Sequence, residues 1–310
     1  MTTPTTKTVL SPELLSRLSA LRLKAKTVVD GVLSGLHRSP HHGSSVEFAE
    51  HKEYAPGDEI RHIDWRAFAK SDKYYVRRFE RETNLRAMIL LDASSSMQYK
   101  SPAARVSKWE FAQELCAALS YLLLRQQDAV GLTVIDQDVR QYIPPRSHSN
   151  HLVNVCETLV SCTPRAHVGT QLMVGTHQLL EVFNQRGLIF VVSDFMDNDS
   201  RYLTALRQLR SRKHKVHLLQ VLDPWEMEFP FREMTLFRSL ETGQHVLAEP
   251  RIMRETYLRE LRRFIAELRQ NCLENGFEYR RFNTQVDLTV ALTNMIAGSS
   301  QSDGDVDHGI

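Results

Sequence analysis

The feature that most constrains this chain is a regular alternation of short apolar runs with segments of helical period, which extends from Ala87 to Ile296. Apolar residues such as Phe111, Leu115 and Leu119 recur at the spacing of one helix face. Strands separated by helices of this length imply right-handed crossovers and an α/β fold, whose mainly parallel sheet carries helices on both faces. The predicted strands of this sheet are 87–91, 129–135, 188–192, 216–221 and 277–282.

Helices and two hairpins complete the predicted alternation. Residues 139–143 are predicted to pair with the strand before them, and short strands at 234–239 and 245–247 flank a turn at Thr242-Gly243. The predicted helices are 148–159, 171–183, 201–209 and 288–296, with one through Phe111 and another through Leu258.

The segment before the alternation follows a different pattern. A serine, a proline and a glutamate at 11–13 form a helix start, and the predicted helix runs toward Gly35. Short strands are predicted at 46–48 and 74–79, on either side of a turn at 55–58. We therefore divide the chain into residues 1–86, a helix and β segment packed on the main domain, the main domain itself at 87–297, and a disordered tail at 298–310.

Composition excludes several classes of protein. With 42% hydrophobic and 25% charged residues the chain is predicted to fold, and its net charge of +2 argues against a nucleic-acid coat or a polybasic membrane binder. The longest nearly apolar stretch, 116–124, is too short to span a bilayer, and the first residues do not resemble a secretory signal. The four cysteines form no paired motif and are expected to be buried and reduced. We expect a cytoplasmic protein without a transmembrane segment.

Polar residues follow the first predicted strand of the main domain. Asp92, Ser94 and Ser96 form an Asp-x-Ser-x-Ser string at the carboxyl end of that strand, where ligands bind in open parallel sheets. A carboxylate and two hydroxyls are oxygen ligands of the kind that Mg²⁺ or another divalent cation prefers. A turn followed by a helix cap would produce the same string, so this motif alone leaves both interpretations open.

Two further loops are predicted to reach the same edge of the sheet. Thr170 precedes a predicted helix, and Asp194 follows the strand at 188–192, which would add a third hydroxyl and a second acid. Two carboxylates balance the charge of one divalent ion. If hydroxyls are most of its direct ligands, the ion keeps a vacant position that a carboxylate from another molecule could fill.

These five residues, with the strand and helix order, resemble a von Willebrand factor A domain and its metal-ion-dependent adhesion site. The preceding segment resembles the bacterial family known as domain of unknown function 58. The strings that carry this second resemblance are Glu47-Phe48, Tyr54-x-Pro56-Gly57-Asp58, Arg61-x-Ile63-Asp64-Trp65 and Val76 to Glu82, which runs into Leu91-Asp92. The resemblance implies a von Willebrand factor A-like fold and a metal held by Asp92, Ser94, Ser96, Thr170 and Asp194.

The resemblance also implies a function, because members of this family are linked with MoxR-type AAA+ ATPases. We expect a non-enzymatic, Mg²⁺-dependent protein-interaction module that serves as adaptor or substrate recruiter for such an ATPase, or binds its client, in a chaperone-like maturation system. Catalytic motifs such as Gly-x-Ser-x-Gly, a phosphate-binding loop or His-Glu-x-x-His are missing from the sequence. Two alternatives remain open, a metal-dependent phosphoryl-transfer hydrolase and a basic scaffold for nucleic acid or anionic lipid. We expect no nucleic-acid binding, since no recognition motif accompanies the Arg and Lys clusters at 70–86 and 201–215.

Overall fold

A computed structural model describes residues 11–38, 51–53, 75–77, 85–148, 150–196 and 201–297. The chain divides into two compact units, one formed by Met1–Gly35 with Leu85–Ile310 and the other by Leu36–Asn84. In the smaller unit, strands β1 (His51–Glu53) and β2 (Tyr75–Arg77) pair in antiparallel fashion. The predicted strand at 46–48, the turn at 55–58 and the predicted tail at 298–310 lie outside the described residues.

The larger unit is built on a six-stranded sheet. Its strands are β3 (Arg86–Asp92), β4 (Ala129–Ile135), β5 (Val139–Arg146), β6 (Leu188–Ser193), β7 (Lys215–Leu222) and β10 (Glu278–Asn283). Their order across the sheet is β10-β7-β6-β3-β4-β5, and every neighbouring pair is parallel except β4 with β5. This confirms the predicted mainly parallel sheet and the hairpin between β4 and β5.

Helices cover both faces of this sheet, which confirms the predicted α/β class. They are α1 (Pro12–Arg38), α2 (Lys108–Arg125), α3 (His151–Ser161), α4 (Leu172–Val182), α5 (Tyr202–Ser211), α6 (Pro224–Glu228), α7 (Pro250–Glu274) and α8 (Leu288–Ala297). The short helix α6 was not predicted, because five residues carry too little periodicity to be recognised. Among the described residues, no helix combines the length and hydropathy needed to cross a membrane.

The central strands are apolar because helices cover them on both sides. Six of the seven residues of β3 are buried, and so are six of the seven residues of β4. Helix α2 begins at a capping box, in which Ser107 accepts a hydrogen bond from the backbone N–H of Glu110 while the Glu110 carboxylate accepts one from that of Ser107. All four cysteines are buried and free, as predicted.

The amino-terminal helix α1 belongs to the larger unit. Its buried face consists of Leu18, Ala25, Val28, Val29 and Val32. Lys24 forms an ion pair with Glu114 of α2, and Asp30 pairs with Arg125 at the end of the same helix at 2.8 Å. Apolar contact is the main stabilising contribution of α1, since ion pairs at the surface contribute little.

A second hairpin joins α6 to α7. Strands β8 (Thr235–Arg238) and β9 (His245–Ala248) pair in antiparallel fashion around a turn in which Gly243 has a φ of +71°, a backbone conformation that suits glycine. One face of the hairpin packs on an aromatic cluster. The members of this cluster are Trp225, Phe229, Phe231, Phe237 and Tyr257.

Candidate metal centre

Asp92 lies at the carboxyl end of β3, in the middle of the sheet between β4 and β6. Its side chain is fully buried. One carboxylate oxygen, Oδ1, accepts hydrogen bonds from the Ser94 backbone N–H at 2.8 Å and from the Thr170 hydroxyl at 2.5 Å, and Oδ2 accepts one from the Ser193 hydroxyl at 2.6 Å. Asp92 therefore organises three separate chain segments around one carboxylate.

The two predicted serines lie together in the loop after β3. The Ser94 and Ser96 hydroxyl oxygens are 3.0 Å apart and share one hydrogen bond. Ser94 is buried, whereas Ser96, in a turn of 3₁₀ helix at Ser95–Gln98, is partly exposed. The pair of oxygens thus extends from the interior toward the surface at the edge where Thr170 contacts Asp92.

The loop that carries Thr170 is fixed at several points. Ser95 donates from its backbone N–H to the Val168 carbonyl at 2.9 Å, and the Val168 N–H donates to the Ser95 hydroxyl at 2.7 Å. The Gln171 N–H donates to the carbonyl of Asp136, which begins the turn after β4. The buried Asp136 carboxylate also lies 3.6 Å from the guanidinium of Arg165. These contacts hold Thr170 in position beside Asp92.

Asp194 follows β6 and is also buried, but its environment differs from that of Asp92. Its Oδ2 accepts a hydrogen bond from the Lys108 ammonium at 2.8 Å, and the same ammonium donates to Glu226 of α6 at 2.7 Å. Lys108 is fully buried. Although burial opposes charging, the two carboxylates raise the pKa of Lys108, so it is present as a cation.

The two acids of the site have opposite pKa shifts. Burial, with the nearby charge of Asp194, raises the pKa of Asp92 to about 6 from its ordinary 3.8. Burial opposes ionisation of Asp194 as well, but the Lys108 ammonium holds the pKa of Asp194 below its ordinary value. No salt bridge joins Asp92 to a basic side chain in the described part of the chain. Asp92 is therefore the carboxylate whose charge lacks compensation.

Oxygen atoms supply the whole candidate ligand set. The structure brings Asp92 into direct contact with Thr170 and Ser94 into contact with Ser96, while a hydrogen bond from Ser96 also helps to lower the pKa of Asp194. No group of three or more His, Cys, Asp or Glu side chains among the described residues is arranged to hold a metal ion. A cation at this site would therefore depend on the hydroxyl oxygens as well as on the acids, and such a hard-oxygen set suits Mg²⁺.

Three functional contacts were not predicted from the sequence. Ser193 precedes Asp194 and bonds to Asp92, and its position at the end of β6 was the signal that could have revealed it. Lys108 and Glu226 gave no comparable signal, because each lies in the first turn of a helix and charged side chains are mostly exposed.

The sequence profile of one family matches residues 50–266, which is more than half of the chain. Its description is "Protein of unknown function DUF58". The chain belongs to the DUF58 family.

Relatives of this DUF58 chain include uncharacterized proteins of two mycobacteria, Mb1516 of Mycobacterium bovis and Rv1480 of Mycobacterium tuberculosis. Each is 27% identical over 234 residues, a match that covers 75% of this chain and 72% of the relative.

Solved structures similar to the DUF58 chain include an aerotolerance-related membrane protein from Bacteroides fragilis, with a TM-score of 0.47, 21% identity and coverage of 69% of this chain and 96% of that one. The von Willebrand factor A domain of SpRpn10 is similar with a TM-score of 0.41, 10% identity and coverage of 68% and 94%. The sheet order and helix placement described above show the α/β fold of the DUF58 chain without these neighbours.

Proposed function

We propose that this DUF58 chain is a Mg²⁺-dependent protein-interaction module. Ser94, Ser96 and Thr170 would hold the ion, with Asp92 and Asp194 contributing directly or through water. When bound, the ion would supply an electrophilic centre for a carboxylate of a partner. The observation that carries this proposal is the buried Asp92 carboxylate, which pairs with no basic side chain in the described part of the chain and accepts hydrogen bonds from the loops of the other candidate ligands.

The charge of the site supports a divalent cation. Asp92, Asp194 and Glu226 are three buried or nearly buried carboxylates, and the buried ammonium of Lys108 pairs with the last two of them. When all four are ionised, the group carries a formal charge of two minus, which one divalent cation would balance. The partly exposed Ser96 gives such an ion access to the surface.

The partner that we propose is a MoxR-type AAA+ ATPase or its protein client. In this arrangement the chain serves as a cytoplasmic adaptor, and ATP hydrolysis belongs to the partner. The resemblance of the chain to families associated with such ATPases supports this partner. A Glu or Asp of the partner would complete the ligands of the ion, since hydroxyls and two acids leave room for one more carboxylate.

Titration calorimetry with Mg²⁺ tests the metal site. We expect the parent chain to bind one ion and the Asp92→Ala variant to lose binding, because the site then lacks one of its carboxylates. Asp138→Ala is the matched control, since this exposed aspartate lies in the turn after β4 and should not alter binding. Equal Mg²⁺ affinity in the parent and in Asp92→Ala would contradict the proposal.

A biosensor titration against a co-encoded MoxR-type ATPase, or against its client, tests the partner. We expect Ser96→Ala, Thr170→Ala and EDTA each to weaken binding several-fold to a few hundred-fold, the effect of losing a hydrogen bond to a charged group. Equal binding with Mg²⁺, with EDTA and by both variants would refute a role for the ion in partner capture. Phosphate release from a model ester by the chain with Mg²⁺ would favour the hydrolase alternative.

A further inference from the structure

The hairpin of β8 and β9 carries apolar side chains on its outer face. Leu236 and Leu247 lie directly opposite each other in the strand register, with 61% and 64% of their surfaces exposed. Because side chains alternate across a strand, Phe237 points to the other face, where it packs against Phe229 and Phe231. The two leucines are therefore directed away from the aromatic cluster.

An arginine and a histidine occupy the same outer face, nearer the turn of the hairpin. Arg238 and His245 are opposite each other, one step along the face from the leucine pair, and both are exposed. That step is two residues, or about 7 Å of strand. The outer face thus presents an arginine and a histidine next to an apolar pair.

The turn end of the hairpin reaches the loop that carries Thr170. An Arg238 guanidinium nitrogen lies 3.4 Å from Nε2 of His167, and a Cβ placed on Gly243 would lie 2.9 Å from the same imidazole ring. A Cβ on Gly169, the residue before Thr170, would lie 3.3 Å from a carboxylate oxygen of Glu241. The outer face of the hairpin is therefore continuous with the edge of the candidate metal centre.

We propose that the outer face of the hairpin and the metal centre form one binding surface for an acidic protein segment that also carries apolar residues. The proposal rests on the proposed function, since the metal would bind the acidic residue. Arg238 favours a segment with negative charge, and Leu236 with Leu247 would bury its apolar side chains. A surface of this kind explains why two opposed leucines remain exposed beside a site for a carboxylate.

One short segment is long enough to contact both features. His167 lies three positions before Thr170, at most about 10 Å along the chain, and about 7 Å of strand leads from Arg238 and His245 to the leucines. The Arg238 side chain spans the gap between these two stretches, since its guanidinium lies 3.4 Å from His167. An extended segment of twelve residues covers about 40 Å, which is enough to contact the metal centre and the leucines together.

Selection from a phage-displayed library of random dodecapeptides on the full chain with Mg²⁺ tests this surface. We expect the enriched peptides to share an acidic residue together with apolar residues. A synthetic peptide of this sequence should bind Leu236→Ser/Leu247→Ser at least about tenfold more weakly than the parent, and Leu247→Ser alone several-fold more weakly. Leu273→Ser is the matched control, since Leu273 is 74% exposed at the far end of α7 and should leave affinity unchanged.

Several results would overturn the proposal. These are the absence of any enriched peptide, enriched peptides without an acidic residue, equal affinity for the double leucine variant, and self-association of the parent that the leucine substitutions abolish. Matching thermal unfolding of all variants establishes that the substituted chains are folded. Leucine-dependent binding that persists in EDTA would support the hairpin surface while contradicting metal-dependent capture, so the two proposals can fail separately.

Discussion

Replacing Asp92 by asparagine should stabilise the metal-free chain at neutral pH. Asp92 is fully buried, and its pKa is raised to about 6 by burial and by the charge of Asp194. A carboxyl whose pKa is higher in the folded than in the unfolded chain holds its proton longer when folded. The free energy of unfolding therefore falls as the pH rises from about 4 to about 6 and Asp92 loses its proton, and this loss of stability is constant at higher pH.

The size of this effect follows from the shifted pKa. A pKa of about 6 in place of 3.8 corresponds to a loss of about 3 kcal/mol above pH 6 and about 1 kcal/mol near pH 4.5. Asparagine removes this loss but places an amide nitrogen near the Ser193 hydroxyl, which must reorient its hydrogen bond at a cost of about 1 kcal/mol. We expect a net gain of about 2 kcal/mol at neutral pH and almost none near pH 4.5.

Urea unfolding of the parent and of Asp92→Asn in EDTA, at both pH values, measures this difference. In excess Mg²⁺ the order should reverse, because an ion at a hundred times its dissociation constant adds about 2.7 kcal/mol to the parent alone. The reasoning would be refuted if Asp92→Asn were less stable than the parent at neutral pH. It would also be refuted if the difference in the free energy of unfolding between Asp92→Asn and the parent were the same at both pH values. If the parent does not become the more stable of the two in Mg²⁺, the proposed metal binding is contradicted, whereas the destabilising effect of the buried Asp92 charge is not.

Two further predictions concern the buried ion pairs of Lys108 and the packing of α1. Lys108→Met should destabilise the chain by about 3–5 kcal/mol, since it leaves Asp194 and Glu226 without their shared cation. Adding Glu226→Gln should restore part of this loss, as a double-mutant cycle of denaturant unfolding would measure. Purely additive effects of the two substitutions would disprove the coupling. A chain truncated to begin at Arg86 should melt early or aggregate, because it lacks the apolar face of α1; calorimetry that gave the parent's melting temperature would contradict this.

The periodicity of the sequence predicts the helices and strands of the larger unit's sheet layers, though not the short helix α6. Runs such as 87–91 and 188–192 are apolar because both of their faces are covered, and this requirement is visible in the residues themselves. The hairpin at 234–247 was predicted from its turn residues. The exposure of Leu236 and Leu247 was not predicted, because alternation shows that a strand has two faces but not which neighbours cover them.

The sequence predicts those residues of the candidate site whose position at the end of a strand places them at the edge of the sheet. Asp92 ends β3 and Asp194 follows the neighbouring parallel strand β6, so both reach the same edge. Lys108 was not predictable, because its helix start has the composition of a surface segment. Only the sheet order reveals that α2 begins where β6 and α6 bring two acids together.

The hydrogen bonds of Asp92 indicate how the two acids of the site differ in role. Thr170 donates its hydroxyl proton to Asp92, which leaves the lone pairs of that hydroxyl oxygen for a cation. Because Asp92 Oδ1 already accepts two hydrogen bonds and Oδ2 one, its carboxylate is better placed to orient hydroxyls than to surround an ion by itself. Asp194 is balanced by Lys108, so the uncompensated charge lies on the acid that orients the hydroxyls. A cation would satisfy that charge through the oxygens that Asp92 positions, which favours direct contact with Ser94, Ser96 and Thr170.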